Sequence, residues 1–373
     1  MPARRFSPQE IMERALREAT RGLGRTHPNP AVGSVIAKGG RIIAVGHHAR
    51  AGLPHAEAVA LRRAGKRARG ADVYVTLEPC DHHGRTPPCT GALIAAGVRR
   101  VIVGLRDPNP LVNGRGLRRL ARAGIGVEVG LCAAACAAFN EAYLCAVRLG
   151  RPLVALKLAQ SLDGRVATRG GESRWITGEA ARALGHRLRN QYDAILVGVG
   201  TVLADDPRLN CRLRGGRDPI RIVLDTHART PVRSQVVRMS RRSRAPTWVI
   251  VGPQAPLPRR RALERAGARV LVGKARRDRL DIDALLSLLH AQELNSVLIE
   301  GGPTVAGSFL DARRIDKVHA FVAPRLLGGT QARSGIEGMG AQKLAHSLDL
   351  KLNGVEEVGG DVLITASLRP PKF

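Results

Sequence analysis

The spacing of apolar positions divides the chain into short helical and strand-like segments. Ser7-Pro8-Gln9-Glu10 has the Ser-x-x-Glu form of a capping box, with proline at the first helical position. Apolar residues then recur through Ile11, Leu16 and Ala19 to about Gly22, which predicts an amphipathic helix. Residues 31–45 read as two short strands about the Gly39-Gly40 turn. Residues 56–64 follow a helical pattern, and residues 72–77 form a β-branched run ahead of a Pro- and Gly-rich loop. A helix is expected to begin at residues 93–96, a strand at 101–104, and a longer helix over 132–149.

Gly150-Arg151-Pro152 punctuates the end of that helix, and a second alternation follows. Residues 152–160, 194–199, 220–224, 247–251 and 296–299 are apolar runs of strand length. Helical patterns at 179–189 and 283–291 lie between them. Strands alternating with helices predict an α/β fold with sheets flanked by helices. The boundary falls near residue 150, giving domains 1–150 and 151–373. A chain of 373 residues is the right length for two or three such units.

Composition narrows the classes. No stretch reaches about 18 consecutive apolar residues, so no membrane span is predicted. The N-terminus has basic residues but no apolar core segment, and reads as a capped helix rather than a signal peptide. Six irregularly spaced cysteines do not form a disulfide framework, so a cytoplasmic location is expected. The formal net charge is +29, which raises the question of a polyanionic partner. Only eight of the 60 basic residues are lysine, and the surplus divides as +13 in residues 1–150 and +16 in residues 151–373. The densest runs, 238–244 and 259–261, lie in a Pro-interrupted region. A nucleic-acid footprint should cluster. The scattered arginines read instead as surface composition.

Chemistry enters with His55-Ala56-Glu57, Glu78-Pro79-Cys80 and Cys89. One imidazole and two thiolates make three ligands of a tetrahedral zinc with one open position. A water there has its pKa lowered to about 7. Glu57, two residues after His55, is placed to move protons between water and a departing amine. Alone, His-Ala-Glu or Pro-Cys carries no information; together and in this order they match zinc nucleobase deaminases. Cys132, Cys136, Cys145 and Cys211 have no histidine cluster and read as small apolar residues. The C-x-x-C spacing of many such deaminases is stretched here to eight intervening residues. The insertion carries His82, His83 and Arg85, either an anion clamp or an ordinary solvated loop.

These motifs resemble a known family. Residues 26–33 (THPNPAVG), 55–57 (HAE), 78–89 and 106–110 (RDPNP) are similar to the bifunctional riboflavin-biosynthesis deaminase–reductases. The similarity continues through 157–165 (KLAQSLDGR), 171–177 (GESRWIT), 203–207 (LADDP) and 300–304 (EGGPT), and so spans nearly the whole chain. The resemblance implies a cytidine-deaminase-like α/β/α domain followed by a dihydrofolate-reductase-like α/β domain. It implies zinc on His55, Cys80 and Cys89, with Glu57 catalytic. It places Asn29 at the base of a phosphoribosylated diaminopyrimidine, His82 and Arg85 at its phosphate, and Asp107 and Asn109 near its ribose.

The second half lacks a Rossmann fingerprint: after Gly198-Val199-Gly200, position 203 is leucine. The strand at 296–299 instead runs into Glu300-Gly301-Gly302-Pro303-Thr304, where a helix N-terminus can face pyrophosphate. An ordinary strand-to-helix turn is the alternative. The resemblance implies NADPH on Ala159, Trp175, Thr201, Asp205 and Thr226, and on a loop formed by Gly302, Pro303, Thr304, Val305, Ala306, Gly307 and Ser308. It assigns substrate to Lys157, Ser173, Arg189, Leu209, Arg212 and Glu300, with hydride delivered to the ribose C1′. Bland readings of the same residues are Trp175 in the core, Arg189 on a solvated helix face and Asp205 as a cap.

The expected function is therefore zinc-dependent deamination followed by NADPH-dependent reduction. The expected partners are small phosphorylated pyrimidines and further copies of the chain, without nucleic acid or membrane. A deaminase with a non-catalytic second half, an RNA-binding deaminase and an inert scaffold are the alternatives.

Overall fold

A computed structural model describes residues 4–83 and 87–368. Arg85, one of the expected phosphate contacts, lies outside the described residues. The chain divides into two compact units, Met1–Gly150 and Arg151–Phe373.

The first unit contains β1 (Gly33–Lys38), β2 (Arg41–His47), β3 (Asp72–Val75), β4 (Arg100–Val103) and β5 (Gly126–Val129). They form one sheet in the order β2-β1-β3-β4-β5. β1 is antiparallel to both neighbours, and β3, β4 and β5 are parallel. Its helices are α1 (Pro8–Ala19), α2 (Ala56–Ala64), α3 (Cys89–Ala95), α4 (Arg115–Arg122), α5 (Ala133–Phe139) and α6 (Glu141–Leu149). Strand alternation separates two cores. Ile36, Val73, Val75, Val101 and Val103 pack with Ala60, Leu93 and Leu120 of α2, α3 and α4. Val35, Ala37, Tyr74 and Ile102 pack on the other face with Ile11, Met12 and Cys136 of α1 and α5. The capping box closes: Glu10 N–H donates to Ser7 Oγ at 3.2 Å and Ser7 N–H to Glu10 Oε2 at 2.8 Å.

The single helix expected over 132–149 is two helices, α5 and α6, broken at Asn140. The cause is distant in sequence. The buried Asn140 amide accepts from Ala31 N–H and donates to Ala31 O, both at 3.1 Å. Those two bonds hold the residue out of helical geometry. The helix expected to begin near residue 93 begins at Cys89, so residues 93–96 are its end. α4 and β5 have no counterpart in the expectations.

The second unit has β6 (Leu153–Ser161), β7 (Ala194–Gly198), β8 (Ile220–Leu224), β9 (Thr247–Val251), β10 (Arg269–Val272), the ribbon β11 (Ala275–Arg276) and β12 (Arg279–Leu280), β13 (Ser296–Gly301), β14 (Lys317–Ala323), β15 (Leu350–Val358) and β16 (Asp361–Leu368). Its helices are α7 (Glu179–Gln191), α8 (Val199–Asp205), α9 (Gln235–Arg242), α10 (Leu257–Arg265), α11 (Ile282–Ala291) and α12 (Pro303–Asp311). Nine strands make a sheet ordered β10-β9-β8-β7-β13-β6-β14-β16-β15. The strands from β10 to β14 are parallel, and the β15–β16 hairpin closes the sheet antiparallel. The central strands are apolar on both faces because helices cover both.

The arginine runs of the Pro-interrupted region fall largely on α9 and α10, which the sequence pattern did not predict. Val199, expected at a strand end, starts α8. One arginine departs from the surface reading. Arg221 on β8 is fully buried, donating from Nε to Thr247 Oγ1 at 2.9 Å and from Nη2 to Ala245 O.

Candidate active sites

In the first unit, short connections bring the expected metal ligands together. His55 is the N-cap of α2, and Cys89 is the first residue of α3. Cys80 lies in the segment after β3. At Gly46 of β2 any Cβ would run into the Ala56 carbonyl, so only glycine lets α2 seat its first turn there. His55 Nδ1 lies 3.5 Å from Cys80 Sγ and 3.4 Å from Cys89 Sγ. The three ligand atoms all fall within 4.8 Å of one another. Cys89 N–H donates to Cys80 Sγ at 3.5 Å. The Cys89 hydrogen bond holds the Cys80 thiol down to about 4, while the contact with Cys80 and burial push Cys89 up. Two sulfurs contending for one proton, beside an imidazole nitrogen, form a donor set that fits zinc.

Glu57 sits in the first turn of α2, buried at 3% exposure. Burial pushes its carboxyl up to about 7, and the Cys80 sulfur adds to the shift. Around this centre the remaining residues are braced. Asn29 Nδ2 donates to His48 Nε2 at 3.2 Å, and His48 Nδ1 donates to Pro54 O at 3.2 Å. That pairing makes His48 a neutral Nδ1–H tautomer, in line with the burial that lowers its pKa. The His48 ring meets the His55 ring edge to face at 5.0 Å between centroids.

Asp107 is buried, which raises its pKa, and accepts from Tyr143 Oη at 3.0 Å and Asn109 N–H at 2.9 Å. Asn109 in turn accepts from Leu111 N–H at 3.0 Å. Glu78 Oε2 accepts from Asp107 N–H at 3.3 Å and Gly114 N–H at 3.0 Å, fixing this loop to the segment before Cys80. Asp81 ties down the start of the inserted loop through Thr90 at 2.5 Å and Arg119 at 2.7 Å. His82 follows it, with a buried Nδ1 that has no hydrogen-bond partner among the described residues. His48, Asn140 and Tyr143 brace the site but were not singled out from sequence, and Glu78 was seen only as part of the Pro-Cys motif. Each acts through a contact far along the chain.

In the second unit Ala159, Thr226, Glu300 and Gly302 lie at the C-terminal ends of parallel strands, where open α/β sheets bind ligands. β6 and β13 pair with Leu156 opposite Ile299, which sets Lys157 beside Glu300. Arg189 of α7 closes a fork on Glu300, Nε to Oε1 at 2.8 Å and Nη2 to Oε2 at 2.7 Å. Its Nη1 donates to Asn210 O at 3.1 Å. Burial would raise the Glu300 carboxyl, but Arg189 and Lys157 outweigh it and hold it low. Burial lowers the Lys157 ammonium. Arg189 is thus no solvated helix face. As a phosphate partner it has one N–H left on each Nη.

Gly302 caps α12 with φ +83°, a conformation open to glycine, and no side chain caps that helix. Thr201 Oγ1, in the first turn of α8, would lie 3.4 Å from a Gly302 Cβ, so the starts of α8 and α12 frame one cradle fit for a pyrophosphate. Ala159 near the end of β6 and Thr226 just past β8 lie at the same edge. Trp175 is 58% exposed under the Arg182 guanidinium, 4.7 Å from its ring centroid, and so is not core. Ser173 is half-buried next to Arg174, whose Nη2 donates to Asp205 O at 2.5 Å.

Three expectations are corrected. Residues 303–308 are the first turns of α12, the helix expected to start at Pro303, so the loop expected over 302–308 is a Gly302 turn followed by helix. Ala306 is in the core and Gly307 abuts the Glu337 carbonyl, so neither position offers a side chain to a ligand. Ser308 and Thr304 are engaged within the protein, by Thr304 O at 2.9 Å and Glu337 Oε2 at 2.8 Å. Leu209 takes φ +51° and packs its side chain into the core. Asp206, not Asp205, caps α8.

Residues 7–105 match the family model for the cytidine and deoxycytidylate deaminase zinc-binding region, and residues 152–364 match the RibD C-terminal domain. Riboflavin biosynthesis protein RibD of Actinobacillus pleuropneumoniae is 44% identical, over 95% of this chain and 94% of its own. The Escherichia coli protein of the same name is 45% identical, over 95% and 97%. The chain belongs to the RibD family. Among solved structures, RibD of Acinetobacter baumannii superposes with a TM-score of 0.87 at 40% identity, covering 97% of this chain and 98% of that one. The diaminohydroxyphosphoribosylaminopyrimidine deaminase/5-amino-6-(5-phosphoribosylamino)uracil reductase of Thermotoga maritima gives 0.83 at 37%, with the same coverage. A RibD chain joins a cytidine-deaminase-like unit to a dihydrofolate-reductase-like unit. It is a hydrolase and an oxidoreductase of riboflavin biosynthesis, using zinc and NADPH. The reading of a deaminase with an idle second half is thereby set aside. No helix among the described residues is long and apolar enough to cross a membrane.

Proposed function

We propose that the first unit hydrolyses the exocyclic amine of 2,5-diamino-6-(5-phosphoribosylamino)pyrimidin-4(3H)-one. The second then reduces the ribosyl chain of the resulting 5-amino-6-(5-phosphoribosylamino)uracil to ribityl. The observation that carries the reading is the convergence of His55, Cys80 and Cys89 beside the buried Glu57. Zinc on those three ligands supplies a Lewis acid for the attacking water. Glu57 takes a proton from the water and returns it to the leaving amine, so that water and amidine become a carbonyl and ammonia. Asn29 gives one amide N–H to His48, and its oxygen accepts from a base N–H. His82 and Arg85 meet the phosphate, and Asp107 and Asn109 the ribose.

NADPH supplies the hydride for the second step. The Gly302–Thr304 turn, Val305, Thr201, Thr226, Trp175, Asp205 and Ala159 hold it. Ala306, Gly307 and Ser308 support that turn from within α12. Lys157 holds the positive charge that polarises C1′, and Glu300 keeps that ammonium in place. Ser173, Arg189, Arg212 and the Leu209 backbone position the phosphorylated substrate. A cytoplasmic location and self-association belong to the same reading. Sedimentation as a monomer would remove the latter.

The test is a coupled assay on the whole chain with products identified by mass. Glu57→Gln should retain zinc and lose about 10²–10⁴ in deamination rate while reducing supplied 5-amino-6-(5-phosphoribosylamino)uracil normally. Undiminished deamination in that variant, or no NADPH oxidation on the supplied uracil, defeats the proposal.

A further inference from the structure

His186 is absent from every expected site, yet it lies where α7 meets the strap 209–213. Its ring Nε2 accepts from Arg212 Nε at 3.0 Å. Its carbonyl meets Cys211 Sγ at 3.5 Å. One turn further on the same helix, Arg189 donates to Asn210 O. At its far side the strap is held by Asp218, which accepts from Cys211 N–H at 2.8 Å. Three consecutive residues of the strap are therefore fastened, and Arg212 is the one whose side chain is left exposed. A free arginine side chain loses rotamer freedom when a ligand fixes it. An exposed guanidinium already tied at Nε has lost part of that freedom, and its two Nη groups remain for an anion.

The acceptor must be a neutral imidazole. Burial, with Arg189 and Arg212 nearby, holds His186 down to about 4, so the ring stays an acceptor at neutral pH. We infer that His186 is a positioning residue of the reductase site: it orients Arg212 toward the substrate phosphate. This rests on the reading that Arg212 meets that phosphate.

The experiment measures the reductase half-reaction of the full chain with saturating NADPH. The substrates are 5-amino-6-(5-phosphoribosylamino)uracil and its dephosphorylated nucleoside, and the variants are H186L, H186Q and R212A. H186L should raise KM for the phosphorylated substrate roughly tenfold, with kcat and the nucleoside KM unchanged. H186Q keeps an acceptor at this place and should restore most of the loss. Deamination by the same chains reports that they are folded. If R212A raises KM and H186L does not, the inference is overturned and the phosphate role of Arg212 stands. Equal impairment of both substrates in H186L shows a packing role and also overturns it. An R212A chain with unaltered KM removes the phosphate role of Arg212 itself, and the inference with it.

Discussion

Replacing Asn140 by alanine tests how the first unit holds the loop that carries Asn29. The Asn140 amide makes two bonds to the Ala31 backbone, both at 3.1 Å and both buried. Alanine leaves one buried N–H and one buried C=O without partners. Each costs about 1–3 kcal/mol, so local opening should become easier by roughly 2–6 kcal/mol. It also removes what interrupts the helix, and alanine favours continuing α5 into α6. Amide hydrogen exchange reads this directly: Ala31 should lose protection by about thirtyfold or more. Asn140→Asp keeps the acceptor for Ala31 N–H and should fall between. Because Asn29 lies two residues away, the deaminase KM should rise while the reductase half-reaction stays intact. Wild-type exchange at Ala31 together with a wild-type KM in Asn140→Ala would refute the reasoning.

Removal of zinc by a chelator, or Cys89→Ser, should abolish deamination and leave NADPH oxidation on supplied uracil; loss of both together would contradict independent sites. Gly302→Val places a β-branched residue at φ +83° and should strain the turn by about 1–2 kcal/mol, raising the NADPH KM more than the substrate KM in steady-state titrations. His319, buried with its ring accepting from or donating to Tyr192 Oη at 3.0 Å, has its pKa lowered by burial to about 4. The unfolded chain therefore binds more protons between about 4 and the model-peptide value of about 6.5. Stability from this group is complete above pH 6.5 and falls as pH drops toward 4, by on the order of 3 kcal/mol. Urea titrations from pH 4 to 7 should show a shallower acid decline in His319→Gln.

What the sequence disclosed was local chemistry. The capping box, the apolar runs of the parallel strands and the His-Ala-Glu and Pro-Cys pair depend on neighbours within a few residues. What it concealed depends on long loops in space. The break at Asn140 exists because of Ala31, and the orientation of Asn29 because of His48. The fork on Glu300 joins residues 111 apart. α9 and α10 were hidden by their arginines, which leave only Val236, Val237 and Leu263 to mark a buried face. The β15 edge strand is mostly exposed and so lacks a clear apolar face. Arg189 and Leu209 show the remaining difficulty: a residue type names a capacity, and only packing says which atoms are left to exercise it.

The passage from α6 to β6 takes only Gly150, Arg151 and Pro152. Each sheet is built wholly from one side of that passage, with β1–β5 before it and β6–β10 and β13–β16 after it. Synthesis of one chain therefore delivers the two catalysts in equal number, whatever the expression level. Neither sheet takes a strand from the other, so a cut or an insertion at this joint would leave both sheets topologically whole. The ratio of the two activities is then set by the kinetics of each site rather than by gene dosage.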